Sequence, residues 1–187
     1  MKHKAIFGLL AVGLLLFAWM QMVYLPGQEK LEEEENIKQL NPETHNFEKV
    51  LQYENPYMGN ASNDANLIGS LPLLSDVPWT YELKPEEFKL IVNYNEPIKE
   101  IGEDRVKKAI LYNVPAVFSL IENLETLEFA FPDQKYTVTR ERVNGWFRED
   151  IATFNNEKVF AEKVQQPIVK KEHLAEWFGA YIGGEVK

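Results

Sequence analysis

The side chains that could do chemistry in this 187-residue chain are few and scattered. His3, His45 and His173 stand far apart, with no H-x-x-x-H pair and no acidic ligand at metal-binding spacing. There is no cysteine, which removes a thiolate metal site, a cysteine nucleophile, a disulfide framework and a lipobox cysteine. No G-x-S-x-G, P-loop or G-x-G-x-x-G segment occurs. Aspartate and glutamate are plentiful, but a carboxylate pair for glycoside hydrolysis would have to be assembled by the fold from distant stretches. Binding chemistry is what remains. Tyr57, Gly59 and Asn60 lie in the turn-forming run Asn55-Pro-Tyr-Met-Gly-Asn60. Tyr53, Trp79 and Tyr81 could extend it into an aromatic groove around Gly59. Trp79 and Tyr81 equally fit a plain sheet core, the commoner place for aromatic strand residues. Asn113 falls inside an apolar helical stripe. It is either a ligand contact or, as buried polar groups generally are, bonded to nearby backbone, with Pro115 able to free such a partner. The candidate binding residues are therefore Tyr57, Gly59, Asn60 and Asn113. No catalytic residue, cofactor site or metal ligand is nominated.

Positioning these residues falls to the stretch from Asp104 to Phe131. Val106, Ile110, Val117, Ile121 and Leu124 recur at steps of three, four and seven, with Ala109, Val114, Ala116 and Leu120 beside them, as in a core helix. Pro115 lies opposite this stripe and should bend the helix around the core. Asn123 is expected to cap it in a left-handed conformation. The period then changes to two, with Leu127, Phe129 and Phe131 marking a half-buried strand that turns at Pro132 to a partner at Tyr136 to Thr139. Upstream, Trp79, Tyr81 and Leu83 and then Leu90, Val92 and Tyr94 alternate around Lys84-Pro85-Glu86-Glu87, a hairpin with a type I turn. Shorter helices are expected from Pro42 to Tyr53, Asn63 to Ser70, Arg140 to Phe147 and Asn156 to Val164, with Pro167 breaking the chain. A last helix, about Lys171 to Ile182, carries Leu174, Trp177, Phe178, Tyr181 and Ile182 and is stopped by Gly183-Gly184. Its lysines are offset by Glu172 and Glu176, so it should pack on the domain through Trp177 rather than lie on a bilayer.

The N-terminus sets the location. Ala5 to Leu25 is a 21-residue run whose clearly polar member is Gln21. At about 1.5 Å per residue it reaches roughly 31 Å, the thickness of a hydrocarbon core. It ends without an A-x-A pattern, which favours an uncleaved anchor over a signal peptide. Lys2 and Lys4 place its start in the cytoplasm, and the acidic run Glu32 to Glu35 places the rest outside. Without those two lysines, 18 basic residues face 29 acidic ones, a formal charge of −11 that should repel nucleic acid and anionic headgroups. The expected organisation is a cytoplasmic tip and transmembrane anchor over 1–25, an acidic stalk over 26–41, an extracytoplasmic domain over 42–166 and a C-terminal amphipathic helix over 167–187. The fold class is α+β: a single transmembrane helix and a two-layer domain in which two β-hairpins, an antiparallel sheet, pack on a long central helix, with a helical C-terminal extension.

Ordered short motifs carry a family resemblance. Asn55-Pro-Tyr-Met-Gly-Asn60, Asn66-Leu-Ile-Gly-Ser-Leu-Pro-Leu73, Leu90-Ile-Val-Asn-Tyr94, Phe118-Ser-Leu-Ile-Glu-Asn-Leu-Glu-Thr-Leu-Glu-Phe129 and Tyr136-Thr-Val-Thr-Arg-Glu141 resemble, in this order, the domain of unknown function 4825 family from Firmicutes. The resemblance covers about Phe47 to Phe154. It implies an extracytoplasmic domain attached to a membrane segment and assigns neither an activity nor site residues.

Together these observations point to a single-pass membrane protein whose outer domain binds a protein, peptide or envelope ligand without catalysis. Its expected partners are the lipid bilayer, through Ala5–Leu25, and an envelope or membrane protein; nucleic acid is not among them. Two alternatives stay open: a cell-envelope hydrolase with sites assembled only in the fold, and a secreted factor released by cleavage.

Overall fold

The computed structural model describes residues 2–183. The chain divides into two units, one ending at Lys38 and one starting at Gln39. The first is a helix whose described side chains are exposed almost throughout. It is α-helical over Lys2–Trp19, makes a π turn over Met20–Tyr24, and is α-helical again over Leu25–Leu40. Pro26 and Gly27 therefore lie within the helix. Proline lacks an N–H and its ring crowds the carbonyl four residues back. The preceding π turn opens the ladder by one residue, with the Leu25 N–H donating to the Met20 carbonyl, and makes room for the ring. Leu10–Leu40 is long and apolar enough to cross a membrane.

The second unit is α+β. Its strands are β1 (Trp79–Lys84), β2 (Lys89–Tyr94), β3 (Thr126–Ala130) and β4 (Lys135–Thr139), in that spatial order. The two hairpins are antiparallel, but β2 and β3 run parallel, because the central helix Glu103–Leu120 carries the chain back across the sheet between them. The sheet is thus mixed rather than wholly antiparallel. Two hairpin signals say nothing about which strands meet in the middle, and the connecting helix decides it. Register puts Tyr81, Val92, Phe129 and Tyr136 in one cross-sheet row, and Leu83, Leu90, Leu127 and Val138 in the next. This face joins the hydrophobic core. Glu128, on the other face, is salt-bridged to Lys89 at 2.7 Å and Lys135 at 3.6 Å. Burial raises its pKa, but the Lys89 hydrogen bond and the two lysine charges outweigh that and hold it below the usual range.

The central helix is buried without interruption from Ala109 to Leu120, as expected of a helix that is apolar all round. It ends at Leu120, and Asn123 is not in the left-handed conformation. Two carbonyls just beyond the helix end are served by Arg140. This buried guanidinium donates to the Leu124 carbonyl at 2.8 Å and the Ile121 carbonyl at 2.7 Å, and lies 5.1 Å from the Phe118 ring centre.

Two other helix expectations shift. The segment after Pro42 first makes a turn, in which the Thr44 and His45 N–H groups donate to the Asn41 carbonyl. A 3-10 helix follows over Phe47–Tyr53, capped by the Asn46 side chain. Downstream, Pro167 does not break the chain. Helix runs over Glu157–Phe160, a π turn over Ala161–Gln165 and helix again over Gln166–Val169, with the Gln166 N–H donating to the Ala161 carbonyl. The C-terminal helix, Leu174–Ile182, packs on the central helix, β4 and the helix Arg140–Phe147. Trp177 is 2% exposed and stacks on Trp146 with ring centres 5.9 Å apart. Gly183 ends the helix at a φ of 69°; Gly184 lies outside the described residues.

Candidate functional site

Three of the four candidate residues share one turn. Asn55 opens it by pairing with the chain after the central helix: its N–H donates to the Leu120 carbonyl at 2.7 Å and its carbonyl accepts from the Glu122 N–H at 3.2 Å. The Asn55 side chain then accepts from the Tyr57 N–H, and the Asn123 side chain accepts from the Met58 N–H at 2.6 Å. Gly59 has a φ of 115°, a conformation that favours glycine, with open space where a Cβ would stand. Its N–H donates to Asp64 Oδ2 at 3.1 Å, and Asn60 caps the helix Ala61–Ser70 by accepting from the Asn63 N–H. Asp64 is fully buried and its other oxygen has no partner. Burial raises its pKa, and the Gly59 hydrogen bond opposes the shift. Tyr57 projects outward at 70% exposure.

The proposed aromatic groove does not close around this turn. The Tyr81 hydroxyl donates to the Ala61 carbonyl and Trp79 lies against Gly69, so both rings pack along the helix Ala61–Ser70. Asn113 also lies apart, about 12 Å up the central helix from Ile121 at the usual rise. Its amide nitrogen donates to the Pro72 carbonyl at 3.2 Å. The partner is backbone, but from the segment after a neighbouring helix rather than a carbonyl freed by Pro115.

Sequence reasoning missed two features. The first is a buried histidine. His45 donates from Nε2 to the Ser70 carbonyl at 3.1 Å, and its Nδ1 lies 2.8 Å from the Tyr112 hydroxyl, which donates to it in that tautomer. Burial lowers its pKa from 6.5 to about 4, so the ring is neutral. A lone histidine in a loop gives no sequence signal for this.

The second is a cavity of about 620 Å³ between the start of the central helix, the start of β4 and the C-terminal helix. Its apolar wall is Leu111, Leu174, Phe178 and Ile182. Glu103, Asp104, Lys107, Lys108 and Lys171 supply its charges. Glu103 is paired with Lys107 at 2.6 Å, and the Lys107 ammonium lies 5.7 Å from the Phe178 ring centre. Tyr136 also lines the cavity. It is 5% exposed, its ring meets Phe178 edge to face at 5.4 Å, and its hydroxyl has no hydrogen-bond partner among the described residues. Burial raises its pKa, with Glu103 adding to the shift. The cavity residues come from three stretches more than 20 positions apart, which no local motif reveals. Among the described residues, no group of three His, Cys, Asp or Glu side chains is placed to hold a metal ion.

Residues 50–141 match the model of a family described as a domain of unknown function (DUF4825). No curated protein and no solved structure matches the chain.

Proposed function

We propose that this chain, which belongs to the DUF4825 family over residues 50–141, is a single-pass membrane protein whose domain works outside the cytoplasm as a non-catalytic binding or regulatory module at the cell envelope. The observation that carries the reading is the N-terminal helix. Its apolar length suffices to cross a bilayer, and it continues through the π turn into an acidic helical segment. Lysines precede the span and glutamates follow it, the asymmetry of a helix inserted with its N-terminus inside. The cavity under the C-terminal helix supports a binding role, since its volume lies in the range of small-molecule sites.

Protease added to intact protoplasts tests the topology. The expected result is loss of the domain, with a short membrane-protected N-terminal fragment retained. A domain cut only after lysis would reverse the orientation, and a mature chain beginning beyond Ala18 would replace the anchor with a cleaved signal. Crosslinking in the native membrane followed by mass spectrometry then reads the partner.

A further inference from the structure

We propose that the cavity between the central helix, β4 and the C-terminal helix binds a single-chain anionic amphiphile: an acyl chain against Leu111, Leu174, Phe178 and Ile182, and a carboxylate or phosphate head among Lys107, Lys108 and Lys171. The inference rests on the reading of this domain as a binding module and names its ligand class.

Four observations lead there. The first is polarity. Walls built from two helices and a strand have most of their backbone groups already paired, so contacts to a ligand come from side chains. Those side chains divide into an apolar wall and a charged rim, which suits a molecule with one polar end. A peptide needs polar partners along its whole length and would find few.

The second is charge. The rim carries three lysines against two carboxylates, on a domain that is otherwise strongly acidic. Glu103 is neutralised by Lys107, while Lys108 and Lys171 have no acidic partner among the described residues. A cationic ligand would meet these ammonium groups; an anionic head pairs with them.

The third is Tyr136. The ring is buried, while the hydroxyl has no partner inside the protein and keeps contact with solvent, so a ligand in the cavity can reach it. It stays protonated and can donate to a head-group oxygen. The fourth is the first turn of the central helix. No side chain caps it, and its first residues line the cavity, so the partial positive charge at this helix end adds to the field of the lysines there.

The test uses the full chain in phosphatidylcholine nanodiscs and palmitate carrying a photoactivatable diazirine. The expected result is saturable labelling of peptides spanning 103–111 and 171–182, beyond the bilayer background on residues 5–25. Lys108→Glu with Lys171→Glu should weaken labelling at least tenfold. Ala175→Trp, which fills the cavity from an exposed helix position, should do the same with the circular dichroism spectrum unchanged. Tyr136→Phe should weaken it several-fold. A diazirine hexadecanol, with the same chain and no charge, should label at least tenfold less than palmitate. Competition separates the sources of the ligand: displacement mainly by lysophosphatidylglycerol identifies a membrane lipid, and displacement mainly by unlabelled palmitate a free acid. Labelling confined to residues 5–25, equal labelling by the alcohol, or indifference to charge reversal would overturn the proposal. Orientation does not enter this assay, so its failure leaves the topology result standing, and a domain found in the cytoplasm leaves the binding result standing.

Discussion

The Asn55–Asp64 turn and the region beneath the C-terminal helix treat polar groups in opposite ways. In the turn, the N–H groups of Asn55, Tyr57, Met58, Gly59, Asn63 and Asp64 all have a side-chain or backbone acceptor, and Asn55, Asn60, Asp64 and Asn123 are placed to supply most of them. Under the C-terminal helix, the buried Trp177 indole N–H and Tyr181 hydroxyl face each other without a well-aligned hydrogen bond, and the Tyr136 hydroxyl has no partner inside the protein. Trp177 and Tyr181 meet edge to face at 6.0 Å and seal each other from water, and burial holds the Tyr181 hydroxyl well above its usual range. One region is held by hydrogen bonds and has no space for a ligand at Gly59 beyond open solvent. The other is held by ring packing and leaves a cavity. Local motifs are therefore a guide to rigidity here, and the space for binding lies elsewhere. The C-terminal helix that completes this cavity begins after the family match ends at residue 141, so the cavity is not built from the matched residues alone.

This contrast is open to direct attack. The largest effect should come from Trp177→Ala. Removing a ring that is 2% exposed should cost about 3–5 kcal/mol, read by denaturant unfolding of the full chain in nanodiscs. A loss below about 1 kcal/mol would mean that ring packing does not hold the C-terminal helix in place.

The next effect tests the hydrogen-bonded side through pH. His45 has a folded pKa of about 4 against 6.5 when free. Between these values the unfolded chain binds the proton and the folded one does not, so stability rises with pH across that window. Its contribution is fully present above about pH 6.5 and declines by on the order of 3 kcal/mol as the pH falls through 4. Asp64, whose pKa is raised, acts with the opposite sign and softens the slope. His45→Gln should flatten the stability profile between pH 6.5 and 4. An unaltered slope would assign the acid sensitivity to other groups.

A smaller effect is expected at Asn123→Ala, which leaves the Met58 N–H without its acceptor and should cost about 1–3 kcal/mol. Faster amide exchange at Met58 is the local readout. The smallest is Tyr136→Phe. Its hydroxyl has no bond to lose, so stability should stay within about 0.5 kcal/mol, while amphiphile labelling falls. A stability loss comparable with that of Asn123→Ala would show that the hydroxyl is bonded within the protein and erase the contrast.

The sequence made some of this legible and hid the rest for physical reasons. Periodicity located both hairpins and the C-terminal helix, because each buries one face against a common core, and it located the central helix, which is buried all round from Ala109 onward. It placed Trp177 correctly as an anchor. It did not reveal the parallel pairing of β2 with β3, since strand partners depend on where the crossover helix returns the chain. The proline rule overreached at Pro167, because it assumes an α-helical ladder on the N-terminal side, where a π turn stands instead. The turn residues Tyr57, Gly59 and Asn60 were legible as a unit through their local chemistry, whereas Asn113 proved to be bound elsewhere, to Pro72. Arg140 and His45 gave no signal at all. Their burial depends on carbonyls of Ile121, Leu124 and Ser70, which become available only once the chain has folded.

The two π turns have a consequence for counting. Phe160, Val164 and Ile168 are all buried, at 0%, 0% and 2% exposure, although they recur at a strict interval of four. In an uninterrupted α-helix each step of four overshoots a full turn by about 40°, so the third residue would swing some 80° away from the first. The wide turn at Ala161–Gln165 absorbs that drift and works as a shim, keeping three side chains in line. The same arithmetic applies at Met20–Tyr24: a helical wheel drawn straight from the apolar span into Glu32–Glu35 assigns those carboxylates to the wrong azimuth. Removing one residue from the Ala161–Gln165 turn would let the α-helical ladder close: Ile168 would then follow Phe160 by seven residues, about 20° short of two full turns, so the buried face would survive the deletion.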